Sequence, residues 1–97
     1  MVMNKYETIF VLSTKRLDDE TIEATVEKFK NLITSNGGTV ESVDLWGKRR
    51  LAYVINYETE GYYTLVNFEA PAELPAELDR VYKITDGVLR SIIIKKQ

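Results

Sequence analysis

The chain has 97 residues, no cysteine, no histidine and a slight acidic excess, with 13 Lys and Arg against 15 Asp and Glu. The missing cysteines exclude disulfides, thiol catalysis and Cys-ligated metals, and the missing histidines remove the commonest general base and metal ligand. At 44% apolar and 29% charged residues, with no apolar run near the roughly 20 residues of a membrane helix, the composition predicts one soluble, cytoplasmic domain over residues 1–97 that binds no cofactor and performs no acid–base chemistry.

Tyr6 to Leu12, "YETIFVL", is rich in β-branched and aromatic residues and reads as a strand, with Tyr6, Thr8, Phe10 and Leu12 on one face. Asp18 and Asp19 offer an N-cap and a negative first turn. Ile22, Val26, Phe29 and Ile33 then recur at helical spacing, Leu32 widens the stripe, and Gly37-Gly38 stops the helix. Thr39 to Leu45 and Leu51 to Tyr57 are strand-like on either side of Gly47, which suggests a bulge. "ETEG", Glu58 to Gly61, predicts a turn, and Tyr62 to Phe68 the returning strand of a long hairpin. Leu74, Leu78 and Val81, with Tyr82 or Thr85 beyond, mark a second helix whose Pro75 must lie in the first turn. Asp86-Gly87 ends it, and Val88 to Ile94 is the last strand.

The order strand, helix, strand, strand, helix, strand is that of the α+β, ferredoxin-like split βαβ fold. Right-handed crossovers place both helices on one face of a four-stranded antiparallel sheet and leave the other face open. The first and last strands are expected to pair at or near the centre, with the second strand at an edge. The expected core is Phe10, Leu12, Val26, Phe29, Ile33, Leu51, Leu65, Leu78, Val81 and Ile93 or its neighbour.

No Walker or dinucleotide glycine loop is present, and the carboxylates Glu20, Glu23, Glu27, Glu73 and Glu77 read as solvated helix faces. The one unusual feature is "WGKRRLAYVINY", where Lys48, Arg49 and Arg50 interrupt a strand. Charge of this kind protects an edge strand against edge-to-edge pairing or pairs across strands, here with Glu7, Glu41 or Glu58. Alternatively it contacts phosphate or an acidic partner, for which the arginine fork is well shaped. Arg49 has the parity of the inward-looking Leu45, Leu51, Tyr53 and Ile55, so either a bulge at Gly47 resets the register or Arg49 is partly buried and paired. "EGYYTLVNF", Glu60 to Phe68, only faintly echoes the base-stacking strand of RNA-recognition motifs. Tyr62, Tyr63 and Phe68 read first as packing residues, and Trp46 as partly buried beside the hairpin.

Taken together, "YE" at Tyr6-Glu7, the Asp-started helix ending in "NGG", "WGKRRLAYVI", "GYY" at Gly61 to Tyr63 and "DGVLR" resemble the sixth protein of the bacterial small ribosomal subunit, nearly end to end. Gly47, Arg49, Arg50, Leu51, Ala52 and Tyr53 carry the most specific part of that resemblance, and Val54 stands where some relatives have proline. The resemblance implies a ferredoxin-like fold and no catalysis; that two amphipathic helices can cover one sheet face predicts a chain that is monomeric when isolated. It would bind the central domain of small-subunit ribosomal RNA jointly with the basic eighteenth protein of that subunit, away from any membrane. It implies Arg49 and Arg50, with Lys48 beside them and Arg90 on the last strand, as RNA or partner contacts. The chain stops at Gln97, so contacts from the long acidic tail of some family members are not expected. A free-standing RNA- or single-strand-binding module using the open sheet face is the alternative.

Overall fold

Strand β1 (Met3–Ser13) leads into helix α1 (Asp19–Ser35), followed by β2 (Thr39–Ile55), β3 (Glu58–Pro71), helix α2 (Leu74–Ile84) and β4 (Val88–Lys96). The computed structural model describes residues 3–55 and 57–96, except for the side chains of residues 52 and 53. The inward placement expected of Tyr53 lies outside the described residues.

The helices form where their ends are chemically marked. Asp18 caps α1 by accepting the Thr21 backbone N–H at 2.8 Å. Hydrogen bonds from Thr21 hold the exposed Asp18 carboxyl below its ordinary range. Ile22, Val26, Phe29 and Ile33 line the buried face of α1, with Thr25 among them. Helix α2 begins with Pro in its first turn, where the missing N–H would have no partner, and buries Leu74, Leu78, Val81 and Tyr82.

The sheet order is β2-β3-β1-β4, with β1 antiparallel to both neighbours and β2 antiparallel to β3. This is the ferredoxin-like arrangement. The last strand pairs with the first as expected, but it forms an edge, and the central pair is β1 with β3. Both helices cover the face that carries Tyr6, Thr8, Phe10 and Leu12; Thr8 is fully buried, and the other three share one buried cluster with Phe29, Val66, Phe68, Leu78 and Tyr82. Phe10, Phe29 and Tyr82 form its aromatic centre, with ring centroids 4.6 to 5.4 Å apart.

Three sequence expectations are corrected by the pairing. Thr8 lies opposite Val66 and Tyr6 opposite Phe68, so Val66 takes the core place expected for Leu65. Leu65 faces outward, beside Ile9. Leu51 is buried, but its Cδ2 lies over Gly61 near Val11, outside the helix-covered cluster. Finally, Glu58 to Gly61 belong to β3. The chain turns earlier, at Tyr57 with φ 65°, because Glu58 is drawn into the sheet, where Ser13 Oγ donates to its carboxylate at 2.5 Å.

Candidate nucleic-acid interface

Strand β2 is an edge strand, and its middle is irregular. Leu45 pairs with Thr64 and Gly47 with Tyr63, which leaves Trp46 as an extra residue without a cross-strand partner. Gly47 has φ 80°, the left-handed conformation such a bulge requires. The bulge exchanges the two faces of the strand. Before it, Leu45 lies opposite the buried Thr64, on the helix-bearing side. After it, Arg49 lies opposite Gly61, on the open face shared with Tyr63 and Val11. Register resetting, and not burial, therefore resolves the parity of Arg49, which is exposed. Lys48 and Arg50, opposite Tyr62 and Glu60, are exposed on the other side of the ribbon.

Cross-strand neutralisation is not how these cations are used. Glu7 pairs with Lys96 at 3.9 Å, Glu58 accepts from Ser13, and Glu60 accepts from Thr14. Among the described residues, Lys48, Arg49 and Arg50 have no carboxylate partner, although Arg16, Lys30, Arg80 and Lys83 do. Arg90 is exposed on β4 and lies opposite Val11. One row of the open face therefore runs Gly47, Tyr63, Val11, Arg90. The fold brings Arg49 and Arg90 onto one face in adjoining rows and sends Lys48 and Arg50 to the opposite face.

Trp46 stacks on Tyr63, with centroids 6.3 Å apart and planes 16° from parallel. Its indole N–H donates to Asp44 Oδ2 at 2.9 Å, and its carbonyl accepts from Arg49 Nε at 3.3 Å. Sequence reasoning placed Trp46 near the cations but missed this pairing, and it did not single out Asp44. The bulge at Gly47 was the available signal, since it turns Trp46 onto the face of Tyr63.

The helix-bearing side of β2 differs in character. Ile22 and Val26 of α1, with Leu45 and Tyr62, line a groove of about 250 Å³ rimmed by Glu23 and Glu27. Among the described residues, no group of three or more His, Cys, Asp or Glu side chains is placed to hold a metal ion, and no helix is long and apolar enough to cross a membrane.

Residues 5–95 match the family pattern of Ribosomal protein S6. The small ribosomal subunit protein bS6 of Clostridium beijerinckii is 60% identical over 95 residues, covering 98% of this chain and 99% of that one. Its counterpart from Clostridium botulinum strain Loch Maree is 58% identical, covering 98% and 100%. The crystal structure of the 30S ribosomal protein S6 from Thermotoga maritima superposes with a TM-score of 0.91 at 27% identity, covering 98% of this chain and 89% of that one. By sequence pattern, by identity over nearly the whole length and by shape, the chain belongs to the ribosomal protein S6 family and is a cytoplasmic protein of the bacterial small ribosomal subunit.

Proposed function

We propose that the chain folds alone as one monomeric, non-catalytic domain. It binds the central domain of small-subunit ribosomal RNA together with a basic partner, the eighteenth protein of that subunit. The observation that carries this reading is the bulge at Trp46. It leaves Lys48, Arg49 and Arg50 exposed on an edge strand, without carboxylate partners among the described residues, and turns Arg49 toward the face of Arg90. Arginines in this setting suit phosphate.

The charge balance supports a joint mode of binding. Affinity for nucleic acid comes largely from neutralising phosphates and releasing counterions. A chain of net charge −2 lacks the long-range attraction of a basic RNA-binding domain. The partner supplies most phosphate contacts, and this chain adds a rigid surface with a few local cations. Helix α1 offers that partner an acidic flank: Asp19, Glu20, Glu23 and Glu27 are all exposed, and Glu23 and Glu27 border the groove at Leu45. A basic protein that inserts an apolar side chain there meets complementary charge.

The test is titration of the RNA site with this chain, with the partner and with both at physiological salt. Weak binding by the chain alone and tight binding by the pair is expected. Tight binding by the isolated chain would overturn the joint mode. It would favour the free-standing module, the second reading, for which the Trp46–Tyr63 stack on the open face is the specific support.

A further inference from the structure

We infer that Trp46 is the seat for one unpaired nucleobase, stacked on the solvent side of its indole, with Arg49 holding an adjoining phosphate. This rests on the RNA-binding reading above and names the contact through which the open face takes part.

An edge-strand tryptophan covers most apolar surface by lying flat on its own strand or by tucking under a helix. Trp46 does neither. As the bulge residue it is released from the pairing register, yet it is not loose. Three contacts fix it: Tyr63 beneath the ring, Asp44 at the indole nitrogen and Arg49 Nε at the carbonyl. With one ring face on Tyr63, Trp46 as a residue still keeps 38% of its surface exposed. A tryptophan held at a fixed angle and open to water has the geometry of a stacking platform, because its orientation is set before the ligand arrives.

The neighbours select the ligand class. Arg49 uses Nε on the Trp46 carbonyl, and among the described residues its two Nη groups have no partner. They stand beside the platform as a fork suited to phosphate. Arg90 lies in the same cross-strand row as Tyr63 and adds positive charge to that face. Asp44 repels a bare phosphate from the indole nitrogen edge and can accept from an N–H-bearing base edge with its second oxygen. An aromatic surface with cations on one side and a carboxylate on the other fits a flat base joined to a phosphate better than it fits a fatty or purely anionic ligand.

Trp46 is the single tryptophan of the chain, so its emission reports this place alone. The full chain is titrated at low salt with short unstructured RNA oligonucleotides and with abasic oligonucleotides of the same length, which keep the phosphates and lack the bases. The contact is weak in isolation, and base dependence is what the experiment reads. Base-containing oligonucleotides are expected to quench Trp46, and abasic ones to leave its emission nearly unchanged. In competition against a labelled oligonucleotide, Trp46→Ala is expected to weaken binding by about fivefold or more, while Trp46→Phe retains most of it. Equal quenching by both oligonucleotide types, or unchanged affinity in Trp46→Ala with circular dichroism showing a folded chain, overturns the assignment. Co-sedimentation with small subunits separates the stacking seat from the ribosomal role. If the wild-type chain co-sediments but shows no base dependence, the stacking seat falls and the ribosomal role stands. If it does not co-sediment, the ribosomal role itself fails.

Discussion

Thr8 on β1 and Tyr82 on α2 meet through their hydroxyls at 3.0 Å. Thr8 Oγ1 also donates to the Ile92 carbonyl at 2.9 Å, which uses its single proton, so the Tyr82 phenol is the donor between the two. This chain of bonds ties α2 to β1 and β4 through the core. Burial pushes the Tyr82 phenol well above its ordinary value. The folded chain therefore keeps this proton at pH values where the unfolded chain has lost it. The contribution is intact below the ordinary phenol value of about 10 and declines as the pH rises beyond it. Denaturant titrations on both sides of that value are expected to show stability falling on the alkaline side, with Tyr82→Phe flattening part of the fall. An equally steep decline in Tyr82→Phe would show that the phenol is not responsible.

Phe29 is 1% exposed and packs edge-on against both Phe10 and Tyr82. Phe29→Ala is expected to cost on the order of 3–5 kcal/mol in equilibrium unfolding. Leu65→Ala, on the open face, should cost clearly less. Similar costs at both positions would contradict the assignment of the two sheet faces.

Thr64 is fully buried, and its hydroxyl oxygen has no hydrogen-bond partner among the described residues. Valine has nearly the same shape and carries no polar atom. Thr64→Val is therefore expected to raise stability by about 1 kcal/mol, the lower end of the cost of an unsatisfied buried polar group. A lower urea midpoint at unchanged slope would mean that the hydroxyl is satisfied in solution.

Gly47 has φ 80°, and apart from its two chain neighbours no described residue has an atom within 4 Å of where a Cβ would stand. Gly47→Ala thus meets a backbone penalty and no clash. A loss of about 1–2 kcal/mol is expected, the usual excess of the left-handed conformation for an L-residue. Because the bulge directs Arg49, the same variant should also weaken RNA complex formation. If the complex forms normally while stability falls, the bulge serves folding alone.

Arg49→Ala with Arg50→Ala is expected to weaken assembly into the RNA complex more than Lys15→Ala with Arg16→Ala. Arg16 is already engaged by Asp86 at 2.6 Å, whereas the first pair has no carboxylate partner among the described residues. Removing a cation that neutralises a phosphate should also lower the salt dependence of binding, by about one unit of slope for each such cation. Equal effects of the two double variants, both shown folded by circular dichroism, would reduce the motif to bulk charge.

Much of this was legible in the sequence because it depends on local chemistry. Asp18 as a cap, the Ile22–Val26–Phe29–Ile33 stripe and Pro75 in the first turn of α2 each follow from residues a few positions apart. What was not legible depends on pairing with distant strands. The choice between Leu65 and Val66 for the core is set by the register of β3 against β1, and both are aliphatic residues that suit a strand. The candidate site shows the same division. Lys48, Arg49 and Arg50 stand out in the sequence by type. Gly47 pointed to a bulge, but only the register against Tyr63 shows that Trp46 is the extra residue and that Arg49 turns to the open face. The Trp46–Tyr63 stack follows from that exchange and has no local signature.

Strand β1 precedes both of its neighbours in the chain, yet it lies between them in the sheet. Synthesis proceeds at roughly 5–20 residues per second, so β1 waits for seconds before β3 can pair with it, and longer for β4. Throughout that interval its backbone has no ladder, and Phe10 and Leu12 have no sheet to join. Helix α1 is the first element made that can shield them, through the contact of Phe29 with Phe10. A nascent chain of this design depends on one early helix, and substitutions along the Ile22–Ile33 stripe should lower its yield in cells beyond what their equilibrium cost alone would suggest.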